Sequence, residues 1–134
     1  MIGDTDFFID LMHAGRPRHA DALARVQDLE ARGVRMAMTA VTRFELAAGV
    51  EQYARPREEQ ERIQAILRTY PTYPVDGASA DRAGRILGAL RARGASIGAA
   101  DALIAGVVLA RDESLLTRNR KDFSRVEGLR LETY

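Results

Sequence analysis

The chain has no cysteine and no tryptophan among its 134 residues. Without cysteine there is no disulfide, no thiolate metal site and no cysteine nucleophile. Histidine is nearly absent, with only His13 and His19, so a histidine-rich zinc site or a Ser-His-Asp triad is not expected. Lysine occurs once, at Lys121, and every other basic side chain is arginine. That bias mainly reflects genome composition, although arginine also suits phosphate contacts. No apolar run reaches the ~18 residues of a membrane span. Asp4, Asp6 and Asp10 interrupt the N-terminus where a signal peptide would carry its apolar core. The expected location is therefore the cytoplasm. A strong net charge is missing too. Twenty basic and 19 acidic side chains leave a formal +1, so any site for a polyanion must come from local clustering.

What is present is a globular composition, 46% hydrophobic and 29% charged. The length suits one domain, residues 1–134, with a substantial core. Apolar spacing predicts alternating strands and helices. Met1 to Thr5 reads as a short buried strand and Asp6 to Ala14 as a helix, broken by Gly15, Arg16 and Pro17. Arg18 to Arg32 is a second helix, ended by Gly33. Val34 to Met38 alternates as a strand, and Thr39 or Thr42 can cap a helix running to about Tyr53. After Pro56 come a charged amphipathic helix, Arg57 to Thr69, and a short strand near Val75. Ser79 to Arg93 and Ala99 to Ala110 are helical, Ser114 to Thr117 is a strand, and Leu129 to Leu131 is the last strand. Asn119 to Phe123 is a turn or short helix. Such alternation implies an α/β fold, with a parallel sheet between two layers of helices.

In such a sheet functional groups collect at the carboxyl ends of the strands. The first strand ends at Asp4, Thr5 and Asp6; the second runs into a helix bearing Glu45; a later one ends at Thr117, Arg118 and Asn119. Asp101 opens the most apolar helix of the chain. No lysine or arginine stands three or four residues from Asp4, Glu45 or Asp101. Carboxylates gathered in one cleft without cations repel each other, and a divalent ion removes that repulsion. Carboxylate oxygen suits Mg²⁺ or Mn²⁺, and a water on such an ion can attack a phosphodiester.

Each residue also has a plainer role. Asp4 and Asp6 can cap the first helix, and Asp101 can be a first-turn acid favoured by the helix dipole. Glu45, between Phe44 and Leu46, can be a partly exposed flank. Asn119 and Asp122 suit a turn or cap. His13 and His19 are expected on the surface. Arg118, Arg120, Lys121 and Arg125 can be a solvated edge. The combination favours the functional reading, because each isolated acid beside apolar sequence falls on one side of one sheet.

These residues carry a resemblance. "GDTDFFIDLM" resembles the first motif of PIN-domain ribonucleases, a strand followed by Asp-Thr-Asn/Ser and a helix ending Ile-Asp-Leu-Leu. "TAVTRFELAAGV" resembles their Thr-x-x-Glu-Leu-x-x-Gly motif. "IGAADALIAGVVLARDESLLTRNRKDF" resembles their Asp-x-Leu-Ile-Ala-Ala motif with its Thr-Arg-Asn-x-x-Asp-Phe tail. The closing "VEGLRLETY" fits their last strand, so the resemblance covers the whole chain and points to VapC-type toxins of toxin–antitoxin pairs. It implies a three-layer α/β/α sandwich around a mainly parallel sheet, and metal-dependent hydrolysis of RNA with Mg²⁺ or Mn²⁺. Asp4, Glu45 and Asp101 match the family's metal-binding acids, Glu45 directly or through water. Asn119 matches the fourth position, Asp in some members and Asn in others, with Asp122 close enough to substitute. Thr117 matches a motif hydroxyl that can orient a water or an acid. Asp6 departs from the usual Asn or Ser.

The resemblance also implies a VapB-type antitoxin whose tail wraps the toxin, a homodimer, and operator DNA contacted only through the antitoxin. Phe7, Phe8, Leu11, Phe44 and Tyr53 are candidates for the groove that takes the tail, with core packing the expectation for Phe7 and Phe44. Arg118 to Arg125 could hold RNA phosphates. The rivals are a DNA nuclease or metal phosphatase on a similar sheet, and a catalytically degraded PIN-like binding module.

Overall fold

The computed structural model describes residues Met1–Tyr134. Five short strands are β1 (Ile2–Gly3), β2 (Met38–Thr39), β3 (Thr72–Tyr73), β4 (Ser114–Leu116) and β5 (Arg130–Glu132). Every pairing is parallel: β1 with β4, β4 with β5, and β2 with β3. A parallel bridge between Ile2 and Ala37 joins the two groups into the order β3-β2-β1-β4-β5. The helices are α1 (Thr5–Met12), α2 (His19–Ala31), α3 (Ala40–Gly49), α4 (Pro56–Thr69), α5 (Gly77–Ala92), α6 (Ala99–Ala110) and α7 (Arg120–Phe123). The chain is thus α/β with a parallel sheet, as the alternation implies.

Side-chain alternation along the strands divides the core in two. Ile2, Ala37 and Leu115 join residues of α5, α6 and α7 in one cluster. Met1, Met36, Met38 and Leu116 join residues of α1, α2 and α4 in the other. Helices therefore cover both faces. The tightest helix pair is α5 on α6, where a Cβ at Gly106 would lie 2.4 Å from the Ser79 carbonyl oxygen and 2.9 Å from Ala83. Only glycine permits that approach.

The strands are shorter than the apolar pattern suggests, because helices begin as soon as they end. Gly3 closes β1 and Asp4 caps α1; Thr39 closes β2 and caps α3 through its hydroxyl to the Thr42 amide at 3.0 Å. The expected strand from Val34 has ladder pairing only from Ala37. The expected helix to Tyr53 stops at Gly49, and Val50–Gln52 tightens to a 3₁₀ turn.

Three expectations about side chains are corrected. Phe44 is not core but 69% exposed. The buried stripe of α3 is Val41, Thr42 and Leu46, and Phe44 sits two residues from both Thr42 and Leu46, on the opposite side of a 3.6-residue helix. Phe8, by contrast, is fully buried like Phe7, which removes both from any exposed groove. The histidines are half-buried and partnered. His13 Nε2 lies 3.0 Å from Glu59 Oε1, and His19 Nδ1 lies 3.0 Å from the Asp10 carbonyl oxygen.

Candidate active site

Because all strands run the same way, their carboxyl ends share one edge, and a cleft of about 600 Å³ opens there. Asp4, Asp6, Glu45, Asp101 and Asn119 line it, and no lysine or arginine does. On its outer side stand Phe44 and Tyr53.

Asp4 is buried, and both carboxylate oxygens are engaged. Oδ1 accepts the Phe7 amide at 2.8 Å, the helix cap that its position suggests. The Thr117 hydroxyl donates to Oδ2. Thr117 is itself fully buried and accepts the Asn119 amide at 2.9 Å. One hydroxyl thus ties the end of β4 to the start of α1. Burial pushes the Asp4 carboxyl up to about 7 despite the hydrogen bonds from Thr117 and Phe7 that oppose it. Capping and a site role coexist in this residue.

Glu45 is half-buried at the edge of the α3 stripe and accepts a hydrogen bond from the Thr5 hydroxyl. Asp101 stands in the first turn of α6, whose cap residue Gly98 supplies no side-chain bond. Partial burial, then the negative charges of Asp122, Glu45 and Asp6, push the Asp101 carboxyl up to about 6. The repulsion inferred from the sequence is therefore present. Asn119 lines the cleft and donates through Nδ2 to Asp122 Oδ2 at 3.2 Å. Asp122 does not line the cleft and is also paired with Arg125 at 3.5 Å. Arg118 is held by carboxylates, at 3.5 Å from Asp6 and 3.2 Å from Asp10.

The donor set fits a hard divalent cation. No three of these acids converge as they stand on one ion-sized point, yet Mg²⁺ usually takes one or two carboxylates and completes its shell with waters and phosphate oxygens. The Asp101 carboxylate has no hydrogen-bond partner within the protein, and burial, then the neighbouring negative charges, raise its proton affinity, a state that a cation relieves.

The family model for the PIN domain matches residues 1–129, nearly the whole chain and all of the cleft residues. The chain belongs to the PIN-domain family. The tRNA(fMet)-specific endonuclease VapC of Shigella flexneri is 31% identical over 100 residues, covering 75% of this chain and 76% of that protein. Ribonuclease VapC2 of Rickettsia felis is 26% identical over 117 residues, 87% of each chain. The crystal structure of VapBC2 from Rickettsia felis bound to a DNA fragment from their promoter superimposes with a TM-score of 0.85 at 22% identity, over 99% of this chain and 97% of that one. These likenesses identify a VapC-type PIN domain with the three-layer α/β/α fold.

Sequence reasoning passed over several polar residues that frame this PIN-domain cleft. Asp10 is fully buried and receives Arg16, Arg118 and the Tyr134 hydroxyl, the last at 2.9 Å. Glu59 is buried between His13 and Arg62, the latter at 3.2 Å. Both acids carried a legible signal. Asp10 falls three residues after Phe7, and Glu59 four before Ile63, so each sits in an apolar helical stripe where a charge needs a partner. The sequence places Thr5 at the end of the first strand, but nothing local points to its bond with Glu45, 40 residues on.

Proposed function

We propose that this chain is a metal-dependent endoribonuclease of VapC type, the toxin of a toxin–antitoxin pair. The observation that carries the reading is one cleft lined by Asp4, Asp6, Glu45 and Asp101 and by no cation, in a chain whose relatives are named endonuclease and ribonuclease. Asp4 and Asp101 hold Mg²⁺ or Mn²⁺, and Glu45 joins directly or through water. Such an ion, when bound, supplies a more acidic water and neutralises charge on phosphate oxygens. The protein's own part is positioning. Thr117 and the Phe7 amide fix the Asp4 carboxylate, and Thr5 fixes that of Glu45. Asn119 fills the fourth position, with Asp122 behind it. The substrate is RNA, and the tRNA specificity in the name of one relative makes tRNA the first class to try.

The partner is a VapB-type antitoxin, in keeping with the VapBC complexes that share this fold. Its tail inhibits by placing an arginine among the acids, where a guanidinium forms bidentate hydrogen bonds in place of a metal, while Phe44 and Tyr53 on the rim take apolar side chains. The assembly is a homodimer in the cytoplasm, and operator DNA is contacted through the antitoxin. No helix is long and apolar enough to cross a membrane.

The test compares RNA, DNA and a small phosphomonoester as substrates, in Mg²⁺, Mn²⁺ and EDTA. Cleavage of RNA alone, lost in EDTA, is the expected result. Hydrolysis of the phosphomonoester, or RNA cleavage that survives EDTA, contradicts the reading. An antitoxin without its tail should no longer inhibit; full inhibition by the truncated form argues for another mode.

A further inference from the structure

A second cavity of about 490 Å³ lies beside the cleft, lined by His13, Arg16, Arg62 and Tyr53 together with the short segment Ala14 and Gly15. Tyr53 belongs to both openings. Unlike the first, the second cavity is lined by arginines and by no acid. Its cations are nevertheless ordered by acids. Arg16 is tied to Asp10, whose side chain is 0% exposed, and Arg62 to Glu59, whose side chain is 2% exposed; the two arginines are 37% and 46% exposed. Glu58 also reaches Arg62, at 3.8 Å, from outside the lining. The carboxylates thus stand behind and the guanidinium groups in front. His13 stacks on Tyr53 with ring planes 5° apart and bonds Glu59, which fixes the wall between the openings.

From this arrangement we infer that the second cavity binds a phosphate of the RNA strand next to the scissile one, with Arg16 and Arg62 as its donors and Tyr53 as the divider between the two subsites. The inference rests on the nuclease reading for its occupant. An acidic cleft attracts no polyanion by itself, so a substrate phosphate there needs compensation nearby. Two guanidinium groups held from behind provide charge-assisted donors whose geometry is set before the strand arrives. The cavity's position beside the cleft, with Tyr53 lining both, favours the RNA strand over an acidic peptide.

The test is equilibrium binding of a ten-nucleotide single-stranded RNA to full-length Asp101→Asn protein, which by this account does not cleave. Arg62→Gln is added to remove a donor. Gly15→Glu is added separately; a Cβ at Gly15 would meet nothing within 4 Å, so the variant adds a negative charge to the cavity while leaving both arginines in place. Arg57→Gln, an exposed cation on the same helix outside the cavity, is the control. Both cavity variants should raise Kd on the order of tenfold and lower the log–log salt slope by about 0.7, whereas the control should do neither. A dinucleotide, too short to fill both subsites, should show no difference between variants. Unchanged Kd and salt slope in Gly15→Glu overturn the inference. So does a loss of antitoxin affinity at unchanged RNA affinity, which assigns the cavity to an acidic segment of the partner. Failure of the unsubstituted protein to cleave RNA in Mg²⁺ or Mn²⁺ is a separate result, against the nuclease reading and not against RNA binding here.

Discussion

The acidic cleft and the basic cavity share one tyrosine and are built in opposite order. In the cleft, carboxylates line the opening and hydroxyls stand behind them, Thr117 for Asp4 and Thr5 for Glu45. In the cavity, arginines line the opening and buried carboxylates stand behind them. The layer behind decides what each opening can hold. A hydroxyl orients a carboxylate without cancelling its charge, so the cleft keeps a deficit that a cation can fill. A buried carboxylate cancels most of an arginine's charge but fixes its direction. The cleft is therefore a site of repulsion that Arg118, paired with Asp6, relieves only in part, and the cavity a site of prepaid orientation.

Asp101→Asn breaks the comparison on the cleft side with the largest expected effect. Asparagine keeps the shape and removes a charged ligand, so RNA cleavage should fall by orders of magnitude. Asp101 makes no hydrogen bond to lose, and its burial and repulsion are relieved. The stability without metal should therefore stay within about 1 kcal/mol of the parent's or rise above it. Cleavage at the parent rate would remove Asp101 from the machinery.

Asp10→Ala attacks the layer behind. It leaves Arg16 and Arg118 without their shared carboxylate and Tyr134 without its acceptor. Removing one partner from a buried ion pair costs about 3 kcal/mol or more, which denaturant unfolding measures. A loss below 1 kcal/mol, about the value of a surface pair, would show that this carboxylate organises nothing.

The third effect is in pH. Asp4 and Asp101 have folded-state values of about 7 and about 6, above the 3.8 of an ordinary Asp. Between those limits the folded protein holds more protons than the unfolded chain, so stability falls as pH rises. In EDTA, melts should be highest near pH 4, decline toward pH 7 and flatten above it, as far as these two groups contribute. In saturating Mn²⁺ the decline should vanish, since the cation takes the place of the protons. Stability that rises from pH 4 to 7 in EDTA through these groups, shown by reversal in Asp101→Asn, would contradict the upward shift that burial and the neighbouring acids impose on them.

Much of this was legible in the sequence because local rules and tertiary demands agree. Ala99–Ala110 is helical over the span its apolar run suggests, and the strand-end rule selects Asp4, Glu45, Asp101 and Asn119, which share one cleft. The illegible part is where one residue answers to two elements. Strand lengths could not be read because Asp4 and Thr39 cap helices where strands end. Phe44 looked like core by composition, but its angle on α3 places it in solvent. The basic cavity escaped because its arginines come from α4 and from the turn after α1, and only the fold brings them to Tyr53. Asp10 and Glu59 were visible as charges in apolar stripes, but their partners lie far along the chain.

The central claim is that Asp4 and Asp101 hold one divalent cation, with Glu45 joining directly or through water. A thermal melt with increasing Mn²⁺, run on the parent and on Asp101→Asn, tests it without reference to catalysis. At about 100 times its dissociation constant the ion should stabilise the parent by about 2.7 kcal/mol, a shift on the order of 10 °C for a chain of this size, and Asp101→Asn should lose most of that shift. A parent that melts at the same temperature in Mn²⁺ and EDTA, or a variant that gains as much as the parent, would contradict a shared carboxylate site.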